Sequence, residues 1–325
     1  MKHPFLIDLN DSENWMYPIE LIGPDGHKGE DQRTINMPEG VHKLFCVTDS
    51  VMYPGKELGG DLHFHEHHLG YEIFFVDSGG LDLYMFGKKT YVAPGNILHI
   101  QPYQAHGMDF HAPTKYRGFF HDLSNSDNAP VFAILRERLP DAQKDPNFAK
   151  SGGMGISDFL MRERPETEEI PVEQMTTVRN INRPMAEYKL EGATAKMLTA
   201  RWENGGINEL WGAELKKGFH AEFYDYAPTT EMYYVTEGEI EFDVYGEKFV
   251  ARPECVVKIP KLATRSLKAL TDATIYDIGG LTHWYAFFQD RASILKNDPE
   301  RAAKPETWEE LKSRYDCRIK SIGID

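Results

Sequence analysis

The sequence predicts an all-β protein made of two tandem repeats with a few peripheral helices, and three observations carry that reading. Short runs rich in Val, Ile, Tyr and Phe, broken by Gly, Pro and Asp, dominate the regions 40–121 and 185–280, a composition suited to strands and tight turns. The two regions repeat one another. At a constant offset of 159 positions Gly59 falls on Gly218, Glu72 on Glu231, Gly79 on Gly238, Gly87 on Gly246 and Pro94 on Pro253. Turn glycines and a strand carboxylate recurring in one register demand the same backbone twice, so the chain is an internal duplication. After residue 280 the period changes: Trp308, Leu311, Tyr315 and Ile319 recur at helical spacing behind Pro305, which suits the first turn of a helix.

Taken in order, residues 1–121 form the first repeat. Within it EIFFVDSGGLDLYMFG, beginning at Glu72, reads as two strands around a tight turn. Residues 122–184 are polar and irregular and read as a connector, with NAPVFAILRERL as a short helix and RPETEEIPVEQ as an exposed stretch. Residues 185–281 form the second repeat, where EMYYVTEGEIEFDVYG, beginning at Glu231, repeats the two-strand pattern. Residues 282–325 form a helical tail that packs on the repeats or on a partner chain.

Charge and composition exclude several classes of partner. The 51 acidic and 36 basic side chains give a formal charge of -15, which repels phosphate backbones and anionic lipid surfaces, so neither nucleic acid nor membrane is expected as a partner. No apolar run approaches the roughly 18 residues of a bilayer span. The start MKHPFLIDLNDSENW lacks the basic, apolar and small-residue pattern of a secretory signal. A cytoplasmic protein is the expectation. Cys46, Cys255 and Cys317 are odd in number and widely separated, which argues against a disulfide framework or a structural zinc knot.

The stretch HFHEHHLGYE, His63 to Glu72, concentrates four histidines ahead of a glutamate. Read with its flanks it runs Gly59, five residues, His65, one, His67, four, Glu72, six, Gly79, and this resembles the first motif of the cupin superfamily. Gly95, Pro102 and His106 resemble the second motif in overall span, although the proline sits one residue late, Gln104 stands near where the family prefers glycine, and Phe110 replaces a frequent asparagine. Those departures keep His99 and His111 as alternatives to His106. The resemblance implies two cupin barrels, that is, double-stranded β-helix or jelly-roll folds in one chain. It also implies a metal site of His65, His67, Glu72 and His106.

The physical chemistry of that set is specific in one respect and permissive in another. Residues two apart on a strand share a face, so His65 and His67 point into the barrel together, with Glu72 and His106 arriving from neighbouring strands. Three imidazoles and a carboxylate, without thiolate, suit one divalent Fe, Mn, Ni, Co or Zn ion per chain and leave coordination sites for water, substrate or dioxygen. His63 shares the inward parity and reads either as a proton carrier beside Glu72 or as a core histidine bonded to a carbonyl. His68 faces outward. Phe74, Val76, Met108 and Phe110 share parity with the ligands and make the interior apolar. Lys88 and Lys89, at a turn, are nearly the whole supply of cations on the motif strands.

In the second copy His65 corresponds to Tyr224, His67 to Tyr226 and His106 to Arg265, while Glu231 remains. Neither a phenol nor a guanidinium serves as a ligand at neutral pH, so no metal is expected there. Arg265 is expected to neutralise Glu231. The second barrel then reads as structural, or as a second pocket around Arg265.

Bicupins with a site in the first barrel alone resemble the quercetin dioxygenases. That implies a metal-dependent oxygenase acting on a small oxygen-chelating substrate, aromatic or enolic, with Glu72 or His63 taking the proton. The alternatives are a metal-dependent isomerase or decarboxylase of a sugar or small acid, and a non-catalytic small-molecule-binding bicupin. Oxalate-type decarboxylases resemble the chain less, since they usually keep metals in both halves. The barrel edges and acidic surface are compatible with a homodimer.

Overall fold

The computed structural model describes residues 3–22, 28–38, 44–54, 64–66, 70–121, 160–203, 208–224, 230–279, 284–315 and 318–324. They divide into two compact units: Glu13–Asn180 with Arg201–Ile207, and Met1–Ser12 with Ile181–Ala200 and Asn208–Asp325. Each is a pair of sheets sharing one apolar core.

In the first unit the larger sheet runs Val178–Arg179, Ile97–Ile100, Tyr71–Ser78, Thr114–His121, Leu44–Met52, Lys28–Pro38 and Met16–Ile22. The smaller runs Leu160–Met161, His65–Glu66, His106–Phe110, Leu81–Met85, Lys88–Val92 and Glu168–Glu169. Alternate residues of the larger sheet, among them Phe74, Val76, Leu98 and Phe120, pack against Leu83, Met108 and Phe110 of the smaller one. Two sheets, antiparallel except where Glu168–Glu169 joins Lys88–Lys89, closed over such a core make a jelly-roll barrel. The expected inward parity of Phe74, Val76, Met108 and Phe110 is therefore met.

The second unit repeats this order. Its larger sheet runs Leu6–Asp8, Cys255–Ile259, Glu231–Glu237, Ala273–Asp277, Leu210–Leu215, Ala193–Thr199 and Ala186–Leu190, and its smaller sheet Glu247–Ala251, Ile240–Val244, Arg265–Ala269, Phe219–Phe223 and Ile319–Ile324. Leu81–Met85, Lys88–Val92 and His106–Phe110 thus reappear as Ile240–Val244, Glu247–Ala251 and Arg265–Ala269, at the offset seen in the sequence. The turns repeat as well. Phe86 and Tyr245 have φ of 56° and 57°, Tyr103 and Leu262 63° and 65°, and Gly79 and Gly238 80° and 74°. Phe86 and Gly87 together, like Tyr245 and Gly246, give two successive left-handed residues, the geometry of a two-residue hairpin that follows the twist of its strands. Large side chains accept that backbone twice because the hairpin fixes it.

The units do not follow the sequence boundaries. Leu6–Asp8, expected in the first repeat, pairs with Cys255–Val257 of the second unit. Residues 160–180, expected as connector, belong to the first unit. Val178–Arg179 pairs with Ile97–Leu98 at the place that Leu6–Asp8 takes beside Cys255–Val257. An open strand edge has to be covered, and each barrel covers the same edge with chain drawn from outside its repeat. The tail also departs from expectation. Pro305 does open a helix, Pro305–Lys312, and a longer one spans Trp284–Asn297, but Ile319 begins a strand, Ile319–Ile324, paired with Phe219–Phe223. The helix expected over 128–139 lies outside the described residues. Among the described residues no helix is long and apolar enough to cross a membrane. Cys46 and Cys255 are buried free thiols, and Cys317 lies outside the described residues.

The repeated turn can be tested at Gly238, where φ is +74° and an added Cβ would lie 2.1 Å from the Asp272 carbonyl oxygen. Left-handed strain costs roughly 1–2 kcal/mol for a residue with a Cβ, and the clash adds to it. Gly238→Ala is expected to destabilise the protein by roughly 2–4 kcal/mol in urea unfolding. A change within about 0.5 kcal/mol would show that the turn relaxes without cost.

Candidate metal centre

Two short strands of the smaller sheet carry the histidines. His65 and His106 are directly paired across neighbouring strands, their ring centroids 4.4 Å apart. Glu72 comes from the other sheet, where it pairs with Ile100 and Phe120. The ligands therefore meet across the barrel, and the expected approach of Glu72 from a strand neighbouring the histidines is corrected. All three side chains are buried, and one donor atom from each lies within 4.8 Å of the others. Glu72 Oε2 is 3.0 Å from His106 Nε2.

The opposite ring nitrogen fixes how His106 is presented. His106 Nδ1 is 3.0 Å from the Gln104 carbonyl oxygen, so Nδ1–H donates to it and Nε2 faces Glu72. The Gln104 side chain braces the same turn by accepting the Gln101 backbone N–H at 3.0 Å. Gln104 was legible only as a departure from pattern; its role comes from geometry.

The rival histidines go elsewhere. His99 Nε2 contacts the Gln101 side-chain nitrogen at 2.9 Å, and its ring meets Tyr71 edge-on. His111, largely exposed, contacts Asp82 at 2.8 Å. His63, His67 and His68 lie outside the described residues. Burial pushes the Cys46 thiol far above its usual range, which keeps that thiol protonated. Two imidazoles and a carboxylate, buried and converging, suit a divalent transition ion, and His65, Glu72 and His106 would hold it.

Lys88 and Lys89 sit on a strand rather than in a turn, and both are engaged, Lys88 by Glu168 and Lys89 by Asp82 at 2.8 Å. The aromatic interior is occupied by its own members. Phe74 meets Tyr116 and Phe120 edge-on at centroid distances of 5.1 and 5.4 Å.

The second barrel holds a different buried cluster at the same level. Arg265 pairs with Phe223 across the smaller sheet, as His106 pairs with His65, so the counterpart of His65 is Phe223 and not Tyr224. The Tyr224 assignment is off by one residue because the loop before Glu231 is one residue longer than the loop before Glu72. Tyr226 lies outside the described residues. Arg265 donates from Nε to Glu231 Oε2 at 2.6 Å and from Nη2 to Oε1, donates to the Tyr224 carbonyl oxygen at 3.3 Å, and lies 4.5 Å over the Phe223 ring. Tyr233 donates to Glu231 at 3.1 Å. Burial first, then the Glu231 charge, hold the Tyr233 phenol well above its ordinary range. Phenyl, guanidinium and carboxylate at these three positions make an internal ion pair instead of a metal site, and the Arg265 guanidinium is already engaged.

No protein-family model matches the chain, and no curated protein matches its sequence. Among solved structures it is similar to Lactobacillus farciminis oxalate decarboxylase in a formate complex, at 12% identity and a TM-score of 0.51 over 95% of this chain and 97% of that one. It is also similar to a single-substitution variant of Bacillus subtilis oxalate decarboxylase, at 11% identity and a TM-score of 0.51 over 98% of this chain and 89% of that one. The chain has the bicupin fold.

Removing the Arg265 cation should expose the cost of the carboxylate it neutralises. Arg265→Leu is expected to destabilise the protein by roughly 3–5 kcal/mol, because Glu231 is left buried without a cation. The double variant Glu231→Leu, Arg265→Leu should recover most of that loss in the same denaturant titration. A neutral Arg265→Leu would refute the pairing.

Proposed function

We propose that the chain is a metal-dependent bicupin enzyme whose first barrel acts on a small acid that chelates through oxygen, with decarboxylation as its reaction. The observation that carries this reading is the buried convergence of His65, Glu72 and His106 from opposite sheets. It draws support from a fold matched along nearly its whole length to oxalate decarboxylases. A divalent ion held by the three would act as a Lewis acid toward the carboxylate and neighbouring oxygens of the substrate.

The protein's own groups account for the rest. In decarboxylation a carbon–carbon bond breaks, CO2 leaves with its carbon and both oxygens, and the electron pair left on the remaining carbon takes up a proton. Glu72 is the carboxyl group at the site and is the group proposed to carry that proton, with His63 as the second proton carrier expected from the sequence. His106, oriented through Nδ1, keeps its other nitrogen for the metal. The burial of His65, Glu72 and His106 limits water at the site and strengthens its electrostatics.

An oxygenase acting on an aromatic substrate would draw support from an interior free to stack a planar body. Phe74, Tyr116 and Phe120 instead pack on one another, which is the behaviour of barrel core, and that reading loses its particular support. A small-molecule substrate is the only partner this function requires.

The test is product analysis. Protein loaded in turn with Mn(II), Fe(II) or Ni(II) is expected to release CO2 from a di- or ketocarboxylic acid without stoichiometric O2 uptake. Compared at equal bound metal, Glu72→Gln should lower kcat by roughly 10²–10⁴-fold, as for loss of a proton-transfer group. Stoichiometric O2 uptake with phenols or enediols would return the oxygenase reading. Anaerobic conversion of a keto sugar would favour the isomerase, and tight ligand binding without turnover the binder.

A further inference from the structure

The strand that carries His65 is described over His65–Glu66. Among the described residues its own barrel holds it by one pairing, His65 to His106. Its other edge is held by Leu160–Met161, which adds two pairings, Leu160 to Glu66 and Met161 to His65, and the Arg162 N–H donates to the Phe64 carbonyl at 3.0 Å. This segment therefore fixes backbone on both sides of His65, at Phe64 and at Glu66.

From there the chain crosses the whole smaller sheet. Arg162 reaches Glu66 at 2.6 Å. Arg164 grips Asp109, on the His106 strand, through two bonds of 2.9 and 3.2 Å, and its guanidinium lies 4.2 Å over the Tyr84 ring on the next strand. At the far edge Glu168–Glu169 pairs in parallel with Lys88–Lys89, Lys88 meets Glu168, and Thr90 donates to the Ile170 carbonyl at 2.9 Å. Both strands bearing histidine ligands thus lie under one belt, Leu160–Ile170, fastened at each edge of the sheet. The belt is fastened largely by charge, and the central fastening is the strongest type of surface pair, a bidentate arginine that also stacks on a ring.

We propose that the belt Leu160–Ile170 sets the position of the two histidine ligands, with Arg162 and Arg164 as positioning residues, and that belt closure and metal binding are coupled. The proposal rests on the metal reading of the first barrel. Coupling of this kind is reciprocal: a closed belt raises metal affinity, and bound metal holds the belt closed.

Both directions can be measured with Mn(II) alone. Free Mn(II), read by its paramagnetic resonance signal, gives the dissociation constant of the native chain and of Arg162→Ala, Arg164→Ala. The double variant is expected to bind about tenfold or more weakly, within the usual range of site-to-site coupling, with its thermal unfolding little changed and Arg164→Lys intermediate. In the native chain Mn(II) should slow tryptic cleavage of the Arg162–Glu163 bond while leaving the Lys217–Gly218 bond unaffected. If the double variant fails to fold, this cleavage measurement on the native chain stands by itself. Equal Mn(II) affinity in the double variant, or equal cleavage at Arg162 with and without Mn(II), overturns the belt and leaves the metal reading standing. Absence of Mn(II) binding by the native chain overturns both.

Discussion

A carboxylate taken out of water inside a barrel has to be met by positive charge, and the same glutamate position is buried twice in this chain. Glu72 and Glu231 are 3% and 1% exposed, at matching places in matching strands. Desolvating an unpaired carboxylate costs far more than a domain can spare. In the second barrel a guanidinium supplies the charge, and a phenyl ring and a tyrosine hydroxyl complete the packing around it. In the first, two imidazoles face the carboxylate, and a divalent cation would complete the balance. The two barrels are alternative answers to one electrostatic demand.

That contrast explains how a duplicated fold can hold one candidate site. Both copies share hairpins, left-handed turn residues and strand order, because those follow from the backbone. They share the glutamate and differ at the other two positions where side chains converge, His65 against Phe223 and His106 against Arg265. Arg265 at the place of His106 converts a position that can release and rebind a cation into one that carries its cation covalently. The second barrel gains a permanent core and gives up exchangeable coordination.

Much of this was legible in the sequence, for local reasons. Turn glycines at one offset, two histidines two apart, and a glutamate repeated at the same strand position are short-range signals, and they located the fold, Glu72, His65, His106 and the Glu231–Arg265 pair. What escaped was non-local. The one-residue longer loop before Glu231 shifted the match of His65 from Tyr224 to Phe223, which an ungapped comparison cannot detect. Leu6–Asp8 carries no mark of which barrel it will join, since strand pairing between distant segments is written in neither one alone. RPETEEIPVEQ has the composition of an exposed loop because its contacts are ion pairs at a sheet surface, and polar composition does not separate a fastened segment from a loose one.

The central claim is that one metal site exists, in the first barrel, and that Glu72 joins two histidines to form it. Metal content of the purified chain, measured by elemental analysis on the native protein and on Glu72→Ala and His65→Ala, His106→Ala variants, tests this directly. The account requires about one equivalent of a divalent transition metal per chain in the native protein and close to none in the variants, since four or fewer protein donors cannot lose one or two without large loss of affinity. Two equivalents in the native chain, or undiminished metal in the variants, would contradict it.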